Sequence, residues 1–549
     1  MNVSRETLRK ENIMNKLKKL LLFEEKHKKQ PFTLEKEANF IEYDVRNEKK
    51  TTDENVLVST DIEENEAYVK KRLSIPLNND FVFRQIAMRD NRKAFVIFIE
   101  GMVNTQYVTQ GIIYSLQRLP FLEEEPYGEE TEFSQSYISH PQATAATDMN
   151  TILEEVNFGC AAAFIDGCDK AYIFDVRGWS TRSISKPENE QSIYGPQEAF
   201  GEMLRTNTAL VRKIIKSEKL IAEAVKVGNV SKTRGVLLYI NDIANERLVD
   251  EVRRRINGIS TDYIIAIEEI ELLIEESTFL PGAQLLGTER PDRVARCLTE
   301  GKVALILNGS PRALIFPTSV FELSHAVSDQ YLRLPYANMT RILHIIASLV
   351  SILLPGLYLA TTLFHQELVP TYLLYSISAA RENVPFPSVL ELILMDISFE
   401  LVREAGLRMP SPIGSTLGIV GGLILGQAAV SAKIVSPLMI IIIAITGIGS
   451  FAISDYSLGW SFRILRLIFI ILGSSLGFYG IAAGMVIYGI FLASQNSFGV
   501  PFLSPLPKRN SKGTETAFFE NPIWKKEKRP ASLYTKNSET EPKISRKWK

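Results

Sequence analysis

Cysteine is scarce: the 549 residues hold three, Cys160, Cys168 and Cys297. None forms a CxxC pair, which excludes a disulfide framework and the usual zinc-ribbon spacing. A two-residue turn at Asp166-Gly167 puts Cys160 opposite Tyr172 or Ile173 and Cys168 opposite Ile165, so free thiols are expected. Histidine is equally sparse, five residues without metal-ligand spacing. No GxxxxGK[ST], GxGxxG or nucleophile elbow occurs. No enzymatic activity, metal or cofactor is therefore expected. A net charge of -1 leaves no excess of cations to hold nucleic acid. The apolar run 20–23 is too short for a secretory h-region, so the N-terminal region is expected in the cytosol.

What the chain does have is hydrophobicity concentrated after about Arg341. The stretch 396–430 organises the rest. Its second half is apolar and uncharged, long enough with its flank to Ala432 to cross a bilayer core, which takes about 20 apolar residues. Gly414, Gly418, Gly422 and Gly426 recur there every fourth residue and form one stripe. In lipid such small-xxx-small steps let helix backbones approach closely, so self-association is expected. The first half places Asp396, Glu400 and Glu404 on one helical face, with Arg403 and Arg408 near enough to partner them. Two readings fit. The acids line an aqueous path for cations, or they lie in water on a helix in the headgroup layer.

Residues 4–29 read as a basic amphipathic helix, suited to an anionic membrane, a partner or a plain solvated tail. A charged linker follows over 30–66, and order is expected from Tyr68. Short β-rich runs, helical periods and an Asn308-Gly309 hairpin signal then make an α/β or α+β cytosolic region of two subdomains, 68–149 and 150–335. Pro196 fits the first turn of a helix, and Thr288, Arg290, Pro291 and Asp292 open another. Arg205, Asn207, Arg212 and Lys213 offer an anion or partner contact, or a solvated helix face.

A polytopic α-helical membrane domain is expected over 341–495: spans near 341–364, 413–432, 434–451 and 464–493, with re-entrant or interfacial segments at 368–408. The last stretch is one long tilted helix or two segments broken near Gly477 to Gly480. The tail 496–549 is basic, which puts it in the cytosol, and the crossings are then even in number. Four crossings leave Arg463 and Arg466 at an outer end; six, with 368–402 crossing and the last stretch split, suit them better.

YGPQEAFGEMLRTNTALVRK, TERPDRVARCLTEGK with LNGSP, and VPFPSVLELILMDISFELVREAGLRMPSPIGSTLGIVGGLILGQAAV together resemble the A subunits of the GerA family of spore germinant receptors, from about Lys70 to Pro507. The resemblance implies a multi-pass protein of the spore inner membrane that works with a polytopic B subunit and a lipoprotein C subunit to sense nutrients. On that basis Asp396, Glu400, Glu404, Arg403 and Arg408 are the candidate ion path. Arg205, Asn207, Arg290 and Asp292 are the candidate cytosolic contacts. A non-conducting scaffold of the same complex is the alternative.

Overall fold

The computed structural model describes residues 32–35, 56–88, 92–118, 143–178, 186–276, 282–408, 426–453, 455–506 and 517–540. The expected helix at 4–29 and the glycines Gly414, Gly418 and Gly422 lie outside them. Order begins earlier than Tyr68. Helix α1 (Ile62–Arg72) is capped by Asp61, whose side chain accepts from the Glu63 amide. Its dense charge is a solvated face over buried Ile62 and Val69 rather than a linker.

The first sheet contains β1 (Phe81–Ala87), β2 (Lys93–Ile99), β3 (Ala143–Ala146), β4 (Ala161–Ile165) and β5 (Ala171–Phe174), all antiparallel, in the order β1-β2-β4-β5-β3. Strand side chains alternate between faces. Val96 and Phe98 meet Val108, Ile112 and Leu116 of α2, helical turns Thr105–Tyr107 and Tyr114–Arg118 joined by the π-helical segment Val108–Ile113. Phe95 and Ile97 meet α1 and α3 (Met149–Asn157) on the other side. With both faces covered, β2 must be apolar along its buried length, as AFVIFI is after the exposed Lys93. Strands from both sides of residue 150 share this sheet, so the expected boundary at 149/150 is corrected: the first subdomain continues to Phe174. The β4–β5 turn is also longer than two residues. Phe164 pairs with Ala171 and Ala161 with Phe174, which moves Cys160 beyond the expected partners. All three cysteines are free thiols.

The second sheet contains β6 (Leu220–Val227), β7 (Thr233–Ile240), β8 (Leu286–Thr288), β9 (Val303–Leu307) and β10 (Ala313–Phe316) in the order β6-β7-β9-β10-β8. This repeats the strand order of the first. The two subdomains are one topology used twice, each opening with a helix, here α4 (Leu204–Ile214). Pro196 precedes that helix and is not in it, which corrects the expected start. Helices α5 (Glu246–Asn257) and α6 (Ile267–Ile274) link β7 to β8. Helix α7 (Pro291–Thr299) begins as expected, with Arg290 at the N-cap position and Pro291 in the first turn. The Asn308-Gly309 turn joins β9 to β10, with Ala313 opposite Ile306. A short α8 (Val320–Ser324) follows, closed by a capping box between Ser319 and Glu322.

Helix α9 (Leu334–Phe364) leaves the second subdomain, followed by α10 (Thr371–Arg381), α11 (Ser388–Arg408), α12 (Pro437–Phe451) and α13 (Tyr456–Ser494). Among the described residues two helices are long and apolar enough to cross a membrane, Leu334–Phe364 and Ser457–Ser494. The second is bent back on itself. Gly477 has non-helical backbone angles, φ 61° and ψ -142°, and a Cβ on Gly484 would lie 2.7 Å from Leu472 Cδ1. In a straight helix those residues would be about 18 Å apart along the axis. Residues 456–476 and 478–494 therefore form an antiparallel helical hairpin. The α9 backbone crosses its first arm closely: a Cβ on Gly473 would come within 2.5 Å of the Gly356 carbonyl oxygen. After the hairpin, β11 (Asn496–Ser497) and β12 (Val500–Pro501) return to the second subdomain. There the Ser497 hydroxyl donates to the Gln284 carbonyl at 3.1 Å and the Val320 amide to the Phe502 carbonyl at 3.0 Å. A Cβ on Gly282 would meet Ser461 at the start of the hairpin, so both ends of the hairpin lie at the second subdomain.

Candidate functional site

The acids of α11 are not left facing water. Arg466, halfway along the first arm of α13, has a side chain 1% exposed, and its Nη2 sits 3.0 Å from Asp396 Oδ1 and 2.7 Å from Glu400 Oε1. Arg403 reaches Glu400 from one turn away on the same helix. Arg463, whose guanidinium stacks 4.5 Å over the Trp460 ring, approaches Glu400 at 4.0 Å. Arg466 Nε and Nη1 are buried without a hydrogen-bond partner. The cluster is two carboxylates held among three guanidinium groups, walled by the apolar faces of α9, α12 and α13.

The structure brings together three of the five expected ion-path residues. Asp396, Glu400 and Arg403 meet; Glu404 and Arg408 do not join them. Arg408 donates to Glu404 at 2.8 Å on an exposed surface, a pair of the kind worth about 0.3–0.5 kcal/mol. Arg463 and Arg466 were not assigned to the path from sequence, although cations inside an apolar stretch are the signal that finds them. A second buried acid was also missed: Glu391 accepts from the Ser436 amide at 2.5 Å at the start of α12, with Arg381 3.9 Å away. Of the glycine stripe, Gly426 alone lies among the described residues, and a Cβ there would rest 3.7 Å from Ile440 Cγ2.

Of the expected cytosolic contacts, Asn207 and Arg290 are fully buried and Asp292 nearly so, while Arg205 stays part-exposed. Arg205 reaches the first subdomain, 3.1 Å from Asp80 and 2.9 Å from Glu100. Beside it buried Arg212 holds the other Asp80 oxygen at 2.8 Å and donates to Asn78 at 2.9 Å. Asp80, a residue of the turn into β1, is therefore the clasp between the subdomains. Asn207 is fully buried and ties back the Gly201 amide at 2.9 Å. Arg290 is equally buried. It is bidentate to Asp292 at 3.0 and 2.9 Å and donates to the carbonyls of Glu190 and Pro196 at 3.1 and 2.8 Å, fastening the loop that contains YGPQEAF. Among the described residues no group of three or more His, Cys, Asp or Glu side chains is arranged to hold a metal.

Comparison with known proteins supplies the context for this geometry. The family model GerA, described as Bacillus/Clostridium GerA spore germination protein, matches residues 67–532. Spore germination protein KA of Bacillus subtilis is 38% identical over 484 residues, 87% of this chain and 88% of the relative. Spore germination protein GerLA of Bacillus cereus is 34% identical over 85% of this chain and 94% of its own. Among solved structures, the N-terminal domain of the A subunit of the Bacillus megaterium spore germinant receptor GerK3 aligns with 47% of this chain and 95% of its own at 25% identity, with a TM-score of 0.34.

Proposed function

Because the chain belongs to the GerA family of spore germination proteins, we propose that it is the A-type membrane subunit of a germinant receptor, acting with B and C subunits in the spore inner membrane. The observation that carries the reading is the buried charge cluster among apolar helices. Ionisable groups at membrane depth are costly and mark ion paths, switches or couplings. In this reading α9, one further span between α9 and α13, and the two arms of α13 cross the membrane, an even number that leaves both termini of the chain in the cytosol, and copies associate through the glycine stripe. Nutrient binding in the complex shifts the first arm of α13, Arg466 releases Asp396 and Glu400, and monovalent cations pass the freed carboxylates. The gate is then an ion pair, and the work of opening it comes from the receptor's differential affinity for nutrient in its two states.

A second reading has its own support. Three guanidinium groups against two carboxylates give the cluster a net positive charge, which repels cations, so the chain would couple nutrient binding to another conducting protein as a scaffold. Ion flux separates the two. The complete receptor is reconstituted in liposomes, wild type against the triple Asp396→Asn, Glu400→Gln, Glu404→Gln variant at equal abundance. Nutrient-dependent flux lost in the variant supports conduction through this chain. Flux that persists moves the pore elsewhere, and a verified complex without flux supports the scaffold.

A further inference from the structure

Between α7, the foot of α9 and the strap 517–540 lies a cavity of about 280 Å³ that the receptor reading does not use. The strap is held on the second subdomain at several points: the Lys536 amide donates to the Ile243 carbonyl at 3.0 Å, and the Glu520 amide to Asn338 Oδ1 at 2.6 Å. Among the described residues seven basic side chains line the cavity against three acidic ones, one of the seven, Arg293, being paired with Glu190 behind the wall. The acids are already engaged. Glu300 accepts from Arg296 Nε at 3.0 Å, Glu322 pairs with Lys302, and Glu520 is shared by Arg341 and Lys526. Among the described residues Arg529 has neutral acceptors, the backbone carbonyls of Thr299 at 2.8 Å, Asn537 at 3.1 Å and Glu539.

Burial and nearby cations together weigh on two groups of the cavity wall. Burial, then Arg341, pushes the His325 imidazole down to about 3, and burial, then Arg296, lowers the Lys526 ammonium from its ordinary value. A half-buried cluster of cations gains from an anion with several acceptor oxygens. The volume decides its size: it falls just below the range of about 300–1,000 Å³ typical of drug-sized ligands, which suits a phosphate or headgroup rather than a nucleotide.

We propose that this cavity binds a phosphate-bearing anion between Arg296, Lys526 and Arg529. Arg341 stands two turns into α9, so if that helix crosses the membrane the cavity opens at the headgroup layer. An anionic lipid headgroup and a free phosphate ester share the required chemistry. The anion site itself does not depend on ion conduction.

The test uses the full chain in detergent and in nanodiscs. Inorganic phosphate is titrated calorimetrically against chloride at matched ionic strength, and phosphatidylglycerol retained by the chain is counted by native mass spectrometry. One phosphate bound per chain assigns a soluble phosphate ester; one retained phosphatidylglycerol assigns the headgroup. Arg296→Gln is expected to lower either affinity about tenfold, with the fold checked by circular dichroism. Should that variant fail to fold, Lys526→Gln reads the same wall. Binding of neither probe by wild type, or binding unchanged in a folded variant, overturns the proposal. Because neither readout involves flux, failure here is distinguishable from failure of the conducting role.

Discussion

Arg466→Gln tests the charge cluster most directly. The guanidinium removed is shared by Asp396 at 3.0 Å and Glu400 at 2.7 Å, and the Arg466 and Asp396 side chains are 1% and 4% exposed. Taking one partner from a buried pair costs about 3–5 kcal/mol, because the other charge remains without compensation. Glu400 is 27% exposed and keeps Arg403, so its share is close to a surface pair, about 0–1 kcal/mol. Asp396 therefore sets the loss, about 3 kcal/mol. Asp396→Asn leaves Arg466 its bond to Glu400 and should cost less, about 1–2 kcal/mol. Neighbours that share a bond do not add, and the double variant should be more stable than the sum of the singles by about 1.5–3 kcal/mol. Denaturant unfolding in mixed micelles, followed by fluorescence, reports the cycle, and Trp460 lies under the Arg463 guanidinium of the same cluster. Additivity within about 0.5 kcal/mol would refute the pairing, and with it the ion-pair gate.

Gly477→Ala places a Cβ where φ is 61° and ψ -142°, 3.0 Å from His365 Cε1. A loss of about 1–3 kcal/mol is expected from the backbone alone, and a melting temperature equal to wild type would count against the hairpin turn. Asp80→Ala strands buried Arg212 and should cost about 3–5 kcal/mol. It should also separate the unfolding of the two subdomains in urea, whereas a single transition at the wild-type midpoint would show that Asp80 is not their clasp. Burial, opposed by Arg312 and reinforced by Asp455, pushes the Glu271 carboxyl up to about 7 from 4.5. Between those values the folded chain holds a proton the unfolded chain has lost, so this group's contribution makes stability fall as pH rises. Glu271→Gln should flatten that fall, and a stability profile unchanged between pH 4.5 and 7 would sink the assignment.

Local signals in the chain were enough for many elements. The Asn308-Gly309 hairpin, the start of α7 at Pro291 and the long apolar helix ending at Phe364 each rest on residues adjacent in sequence, whose steric and hydrogen-bonding preferences act within a turn or two. Where local evidence misled, longer-range packing had overruled it. The charged residues 62–66 read as linker until Ile62 and Val69 find the first sheet. Ala143 to Ala146 carries no strand signal of its own, because it is a short edge completed only by β5.

The candidate site divides along the same line. The sequence by itself determined that Asp396, Glu400 and Glu404 share a helix face, because a 3.6-residue period needs no partner to align them. It also determined that apolar helices of membrane-spanning length follow a two-part α/β region. Only the tertiary structure decided that Arg466, 66 residues beyond Glu400, closes that face, that Arg205 bridges the subdomains and that Arg290 is buried. It alone revealed that two unlike sequences fold to one strand order and that α13 turns back at Gly477. Ion pairs and sheet neighbours are chosen by which helices and strands come to lie together. That choice belongs to the packed chain, since each buried charge must find its counter-ion wherever the whole core places it.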